Sequence, residues 1–200
     1  MSSRLVLASA SPRRQELLRN AGVAFSVRPA NIPELPQQGE SPDDFVQRMA
    51  REKAMDVFLD RPDDFVLGAD TIVVVDGQIL GKPRDAADAA RMLRLLSGRP
   101  HHVITAVCLA GPVSAGASDR EPTTAFQDAR SETTLVMVDK LNDEDIQSYI
   151  ATGEPMDKAG AYGIQGIASR WISRIEGDYF NVVGLPVALV YRMLREHGLF

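Results

Sequence analysis

Short runs of consecutive apolar residues alternate along this chain with stretches whose apolar positions recur every three to four residues, the pattern of buried strands interleaved with amphipathic helices. Leu5, Val6, Leu7 and Ala8 read as a buried strand, and Ser11 with Pro12 supply the N-cap and first turn of a helix ending near Gly22. Residues 24–28 predict a second strand and the Pro-rich stretch 29–39 a loop. Ser41 opens a helix with Asp43 and Asp44 in its first turn, where the helix dipole favours acids, and the pattern carries it to about Phe58. Phe65, Val66 and Leu67 predict a strand that continues at 72–75, with Asp70 at a strand end or bulge. Asp76-Gly77 is a hairpin signal that returns the chain through 78–80.

The second half repeats the alternation. A helix over 85–97 is closed by Gly98, a strand runs over 101–110, and 112–122 is a polar, mobile surface connection that looks like an insertion. A strand follows at 131–138, then a helix capped by Asn142, running through Thr152 and ended by Gly153. Alternating residues over 167–175 and a terminal helix begun by Pro186 complete the chain. Interleaved elements with a hairpin and long middle strands predict an α/β fold with a mixed sheet flanked by helices.

Composition narrows the picture. Two hundred residues at 44% apolar and 24% charged, without repeat or linker, fit a single domain over 1–200. No stretch approaches the roughly 18 apolar residues that span a bilayer and the opening residues show no signal-peptide pattern, so the expected location is the cytoplasm. A net charge of −5 argues against a general nucleic-acid binder. Cys108, alone in an apolar run, reads as a buried inert thiol. Only four cations are lysines, Lys53, Lys82, Lys140 and Lys158, in a chain with 22 Lys and Arg together, which points to lysine being placed where a compact point charge is wanted.

Candidate chemistry gathers in polar islands, above all 68–71 and 158–166, where glycines let a ligand approach the backbone closely. In Ser9-Ala10-Ser11-Pro12-Arg13-Arg14, a strand ends in small residues and opens a helix, whose bare N–H groups suit phosphate. Two arginines in that first turn oppose the dipole, a conflict an anion would relieve; the other reading is a capped helix with surface arginines. Lys53 lies on or beside the apolar stripe of Phe45 and Met49, so it either snorkels or points into a pocket. Asp70, in Gly68-Ala69-Asp70-Thr71, is either a backbone-fixed carboxylate that holds a metal or takes a proton from water, or a turn residue bonded locally. Lys82 and Arg84 flank Pro83 as a cationic pair or a solvated loop. Three glycines fall within 160–166, leaving Lys158 and Gln165 beside a base-sized glycine pocket where a glutamine amide matches the edge of a planar base. His101 and His102 lack metal-ligand spacing and read as structural.

The ordered series of Leu7 to Arg14, Arg51-Glu52-Lys53-Ala54, Gly68-Ala69-Asp70-Thr71, Gly81-Lys82-Pro83, Leu96-Ser97-Gly98 with His101 and Val103, and 158–166 resembles the Maf family of nucleoside triphosphate pyrophosphatases over 5–186. The resemblance implies an elongated fold like that of the inosine triphosphate pyrophosphatases, with the site in a cleft between two lobes. It implies hydrolysis of a nucleoside triphosphate to monophosphate and pyrophosphate, supported by Mg²⁺ or Mn²⁺. Asp70 matches the proton acceptor and Glu34 its acidic partner in metal or water binding, with Lys53 and Lys82 completing the catalytic set; Ser9, Arg13, Arg14, Lys53 and Lys82 match the polyphosphate-binding residues. Arg13, Thr71 and Gln165 resemble the dTTP/UTP group, not the 7-methyl-GTP group. The implied partner is the nucleotide, with a homodimer as the candidate assembly and neither membrane nor nucleic acid involved. Purine triphosphates or 7-methyl-GTP as substrates, a non-catalytic role in arresting septum formation, and a phosphate-binding structural domain without turnover are the alternatives.

Overall fold

The computed structural model describes residues 5–112 and 125–200; of the surface connection expected at 112–122, residues 113–122 lie outside the described residues. In chain order the elements are β1 (Leu5–Leu7), α1 (Pro12–Asn20), β2 (Ser26–Val27), α2 (Pro42–Phe58), β3 (Phe65–Val75), β4 (Gln78–Leu80), α3 (Ala86–Leu96), β5 (Pro100–Pro112), β6 (Ala125–Val138), α4 (Asp143–Ala151), β7 (Ile172–Glu176), α5 (Tyr179–Val183) and α6 (Val187–Glu196). Three short 3₁₀ turns lie between α4 and β7. The strands form one sheet in the order β2-β1-β3-β5-β6-β7, with β4 on β3. β1 pairs in parallel with β2 and β3, placing Val6 opposite Val66, whereas β3–β4 and β6–β7 are antiparallel. The sheet is therefore mixed, and helices flank it.

Local chemistry sets the boundaries. Ser11 and Ser41 accept the backbone N–H of Arg14 and Asp44 at 3.4 and 3.2 Å, and Asp85 that of Asp88 at 2.7 Å, each satisfying an orphan donor of a first turn. Asn142 and Asp145 close a reciprocal capping box. Asp76 and Gly77 both have positive φ, 50° and 75°, as a two-residue hairpin turn requires.

The differences from the sequence expectation are local. The second strand shrinks to Ser26–Val27, and β3 runs through Asp70, so no strand end falls there. Residues 167–171 form a 3₁₀ turn despite their alternation, because Glu154 takes the Ile167 N–H and Gly166 that of Ser169, which withdraws those groups from any ladder. The short α5 was not anticipated; Asp178 caps it through the Phe180 N–H at 2.7 Å.

The chain divides into two compact units, one of residues 1–70, 106–131 and 185–200, the other of 71–105 and 132–184. In the first, Leu7, Leu18, Met49, Leu67, Leu109 and Met193 are fully buried. Cys108 lies there too, its thiol pushed up to about 12 by burial, which agrees with the inert reading. In the second, Leu80, Leu96, Ile146 and Tyr149 anchor a cluster reaching Val136 and Ala168. Among the described residues no helix is long and apolar enough to cross a membrane.

His101, in the second core, is structural as its sequence context suggests: it is 1% exposed, and its Nε2 lies 2.7 Å from the Tyr162 hydroxyl. Burial, aided by His102, lowers its pKa from 6.5 to about 4. The unfolded chain therefore binds the extra proton between those values, and stability is lost as pH falls through that window. Unfolding free energy should drop by about 2 kcal/mol from pH 7 to pH 5, and His101→Gln should flatten this segment of the profile. Denaturant titrations across the range check it; a flat wild-type profile would be incompatible with a buried neutral imidazole.

Candidate active site

In the first unit, helix α2 carries Lys53 along a buried row with Phe45, Met49 and Val57, successive positions four apart. The pocket reading of Lys53 holds and snorkelling does not: the residue is 8% exposed, and its Nζ lies 2.6 Å from Asp70 Oδ1 and 2.6 Å from Glu34 Oε1. Asp70 is 7% exposed, in mid-strand, whereas the Glu34 side chain is 45% exposed on the Pro-rich loop. Gly68 makes this meeting available. A Cβ there would lie 2.3 Å from the Ala50 carbonyl oxygen and 2.6 Å from the Ala54 nitrogen, so only glycine lets α2 sit this close to β3. The glycine admits a helix, not a ligand as its place in a polar island suggests.

The α1 entrance lies in the same unit. Ser9 is buried; its hydroxyl accepts the Ser11 N–H at 3.3 Å and the Arg14 guanidinium at 3.2 Å, and Arg14 also donates to the Ala69 carbonyl at 2.9 Å. Burial lowers the Arg14 pKa, opposed by the charges of Asp70 and Glu34 and reinforced by Arg13. Ser9, Arg13, Arg14, Glu34, Lys53 and Asp70 are thus one electrostatic group.

The second unit holds the other candidates. The Thr71 hydroxyl lies 2.9 Å from that of Thr105 and 3.4 Å from the Gly184 carbonyl oxygen it donates to. Lys82 and Gln165 are exposed. The Gly81 carbonyl accepts the Gly160 N–H at 3.0 Å, which ties the segment bearing Lys82 to the glycine-rich stretch. Lys158 donates to the Glu154 carbonyl at 2.6 Å and the Asp157 carboxylate at 2.7 Å. Space beside Gly163 and Gly166, read from sequence as room for a ring, is filled by the Lys158 and Glu154 side chains. Ala161 is fully buried at φ 60°, a conformation that only a well-determined surrounding imposes on a non-glycine residue.

Sequence reasoning passed over the residues that hold these segments. Arg48 grips both Glu40 oxygens at 2.6 and 2.7 Å and the Leu35 carbonyl at 3.0 Å, while Asp56 accepts the Asn31 N–H at 3.0 Å. Together they pin the Glu34 loop to α2 on both sides of the carboxylate. Hydrogen bonding from Arg48 lowers the Glu40 pKa to about 2. Asp88, 6% exposed, accepts the Arg84 backbone N–H at 3.2 Å and so anchors the Lys82 segment. The only signal available was spacing: Arg48, Glu52 and Asp56 fall four apart on the face of α2 next to Lys53.

A model of the Maf-like protein family matches residues 4–197. The chain belongs to the Maf family. A dTTP/UTP pyrophosphatase from Koribacter versatilis is 57% identical over 97% of this chain and 94% of its own length. Proteins of the same name from Citrifermentans bemidjiense and Geobacter metallireducens are 52% and 49% identical, each over 98% of this chain and 97% of theirs. The crystal structure of protein VC0702 from Vibrio cholerae aligns with 98% of this chain and 99% of its own at a TM-score of 0.39 and 9% identity, too slight a likeness to argue from.

The donor chemistry of the cluster can be compared with what a divalent cation requires. Asp70 and Glu34 offer hard carboxylate oxygens converging on one point, where an ammonium already sits. Among the described residues no group of three or more His, Cys, Asp and Glu side chains is placed to hold a metal, so Asp70 and Glu34 could supply only part of a cation's shell.

Gly68→Ala should destabilise the protein by about 1–3 kcal/mol through overpacking against helix backbone. Gly81→Ala, with nothing within 4 Å of the added Cβ, should change little. Denaturant midpoints of the two variants decide it; equal stability would mean that α2 has room to move.

Proposed function

We propose that the protein hydrolyses nucleoside triphosphates, with dTTP and UTP preferred, to the monophosphate and pyrophosphate in the cytoplasm. The observation that carries this is the carboxylate–ammonium–carboxylate cluster of Asp70, Lys53 and Glu34, in one electrostatic group with Arg14 and the α1 entrance. The names of the relatives at 49–57% identity support the substrate class.

In this reading Asp70 accepts a proton from water as the water oxygen bonds to phosphorus and the P–O bond to the departing pyrophosphate breaks. Lys53 holds the Asp70 carboxylate in its orientation and keeps a positive charge beside the phosphoryl oxygens, where charge develops. Ser9, Arg13, Arg14 and Lys82 bind the polyphosphate, the arginines as planar donors matched to phosphate oxygens. Asp70 and Glu34 would hold a divalent cation, Mg²⁺ or Mn²⁺, which when bound neutralises phosphate charge. Gln165 reads the acceptor–donor–acceptor edge of uracil or thymine with its paired amide groups, and Lys158 and Thr71 support that end of the substrate.

Incubation with nucleotides and Mg²⁺ should release pyrophosphate; a diphosphate and orthophosphate as main products would rule the reaction out. Among dTTP, UTP, CTP, GTP, 7-methyl-GTP and ITP, kcat/KM should be highest for dTTP and UTP, and a purine at the top would overturn the base assignment alone. Asp70→Asn should lower turnover by roughly 10²–10⁴-fold, as loss of a general base does, while the variant stays folded. Near-normal turnover in that variant would remove Asp70 from the mechanism.

A further inference from the structure

The glycine-rich stretch of the second unit is built around a carboxylate that neither the family resemblance nor the proposed mechanism uses. Glu154 follows Gly153, just after α4, and its side chain runs beneath the loop of residues 163–167. One oxygen accepts the Tyr149 hydroxyl at 3.0 Å and the other the Ile167 N–H at 3.2 Å. Its carbonyl accepts the Lys158 ammonium at 2.6 Å. Tyr149 is fully buried and its hydroxyl pKa is raised by burial and by Glu154, so it remains a donor to the carboxylate. The fit is close: a Cβ on Gly166 would lie 2.0 Å from one carboxylate oxygen and 2.7 Å from the other, and one on Gly163 would lie 2.7 Å from Lys158 Cε. A side chain at 166 would displace the carboxylate from this place.

We propose that Glu154 is the positioning residue for base selection, fixing the loop so that the adjoining Gln165 presents its amide in one orientation. This rests on the base-reading role given to Gln165 above. Gln165 is exposed and stands two residues before Ile167, whose N–H Glu154 holds, and next to Gly166, which packs against the Glu154 carboxylate, so the backbone that carries its side chain is fixed there by Glu154. A glutamine amide discriminates uracil from cytosine only while its donor and acceptor keep their places, because an exposed amide free to rotate would satisfy either base. Glu154 thus acts through Gln165, without touching the substrate.

The test compares kcat/KM for UTP and CTP in Glu154→Ala, Glu154→Gln, Gln165→Ala and the double variant Glu154→Ala/Gln165→Ala, with amide hydrogen exchange at Ile167 followed in each. Glu154→Ala should lower the UTP-to-CTP ratio by roughly 10–100-fold, the scale of a misplacement of about an ångström, mainly through KM for UTP, and should abolish protection of the Ile167 amide. Glu154→Gln keeps the shape and one acceptor, and should recover part of both. The double variant should select no worse than Gln165→Ala alone, since the second loss has nothing left to act on; a purely structural role would not produce that epistasis. Selection retained in Glu154→Ala while Gln165→Ala loses it would overturn the positioning role. Selection retained in Gln165→Ala would instead overturn the base reading, and the positioning role would fall with it.

Discussion

Lys53 and Asp70 meet at 2.6 Å where each is less than a tenth exposed, and Lys53 also meets Glu34 at 2.6 Å. Removing one ion from water costs several kcal/mol even after relaxation, so neither charge sits there without a partner, and their meeting requires α2 to lie against β3. That approach is set by Ala50, Ala54 and Gly68, where nothing larger than a hydrogen fits on the strand. The buried pair is weak support for stability, because apolar residues of the same volume would serve as well. In the proposed mechanism its use is to orient a carboxylate beside a positive charge, which general-base chemistry at a phosphate needs.

A related device recurs in each unit: a charged side chain grips the backbone of a loop and fixes it. Arg48 and Asp56 hold the Glu34 loop to α2, Asp88 holds the backbone after Lys82, and Glu154 holds the stretch around Gln165. In the proposed function the exposed groups on these loops meet the ligand, and a loop so tied does not spend binding energy on being ordered when the ligand arrives. Ala161 at positive φ belongs to the same pattern, a strained residue kept in place by its fully buried surroundings.

Much of the fold was legible because the signals were local. Ser11, Ser41, Asp85 and Asn142 cap their helices, and the Asp76-Gly77 turn stands where its chemistry places it. Asp70, Lys53 and Glu34 were legible as candidates, yet their convergence was not, since they are far apart in sequence and the glycine that joins them looked like room for a ligand. Where tertiary bonds compete with periodicity, the pattern misled: alternation at 167–171 suggested a strand, but Glu154 and Gly166 claim those amides. Arg48, Asp88 and Glu154 were harder to find for the related reason that a charged side chain reads as solvated surface until its partner's position is known.

The account's central claim is that Lys53 and Asp70 work as one unit, and kinetic coupling between them tests it most directly. Steady-state pyrophosphate release would be measured for Lys53→Met, Asp70→Asn and the double variant, under identical metal and substrate concentrations. If the two act together, the double variant is no slower than the slower single variant, because losing either partner already disables the pair. If instead the two losses multiply, Lys53 and Asp70 contribute independently, and their buried contact is a feature of folding alone.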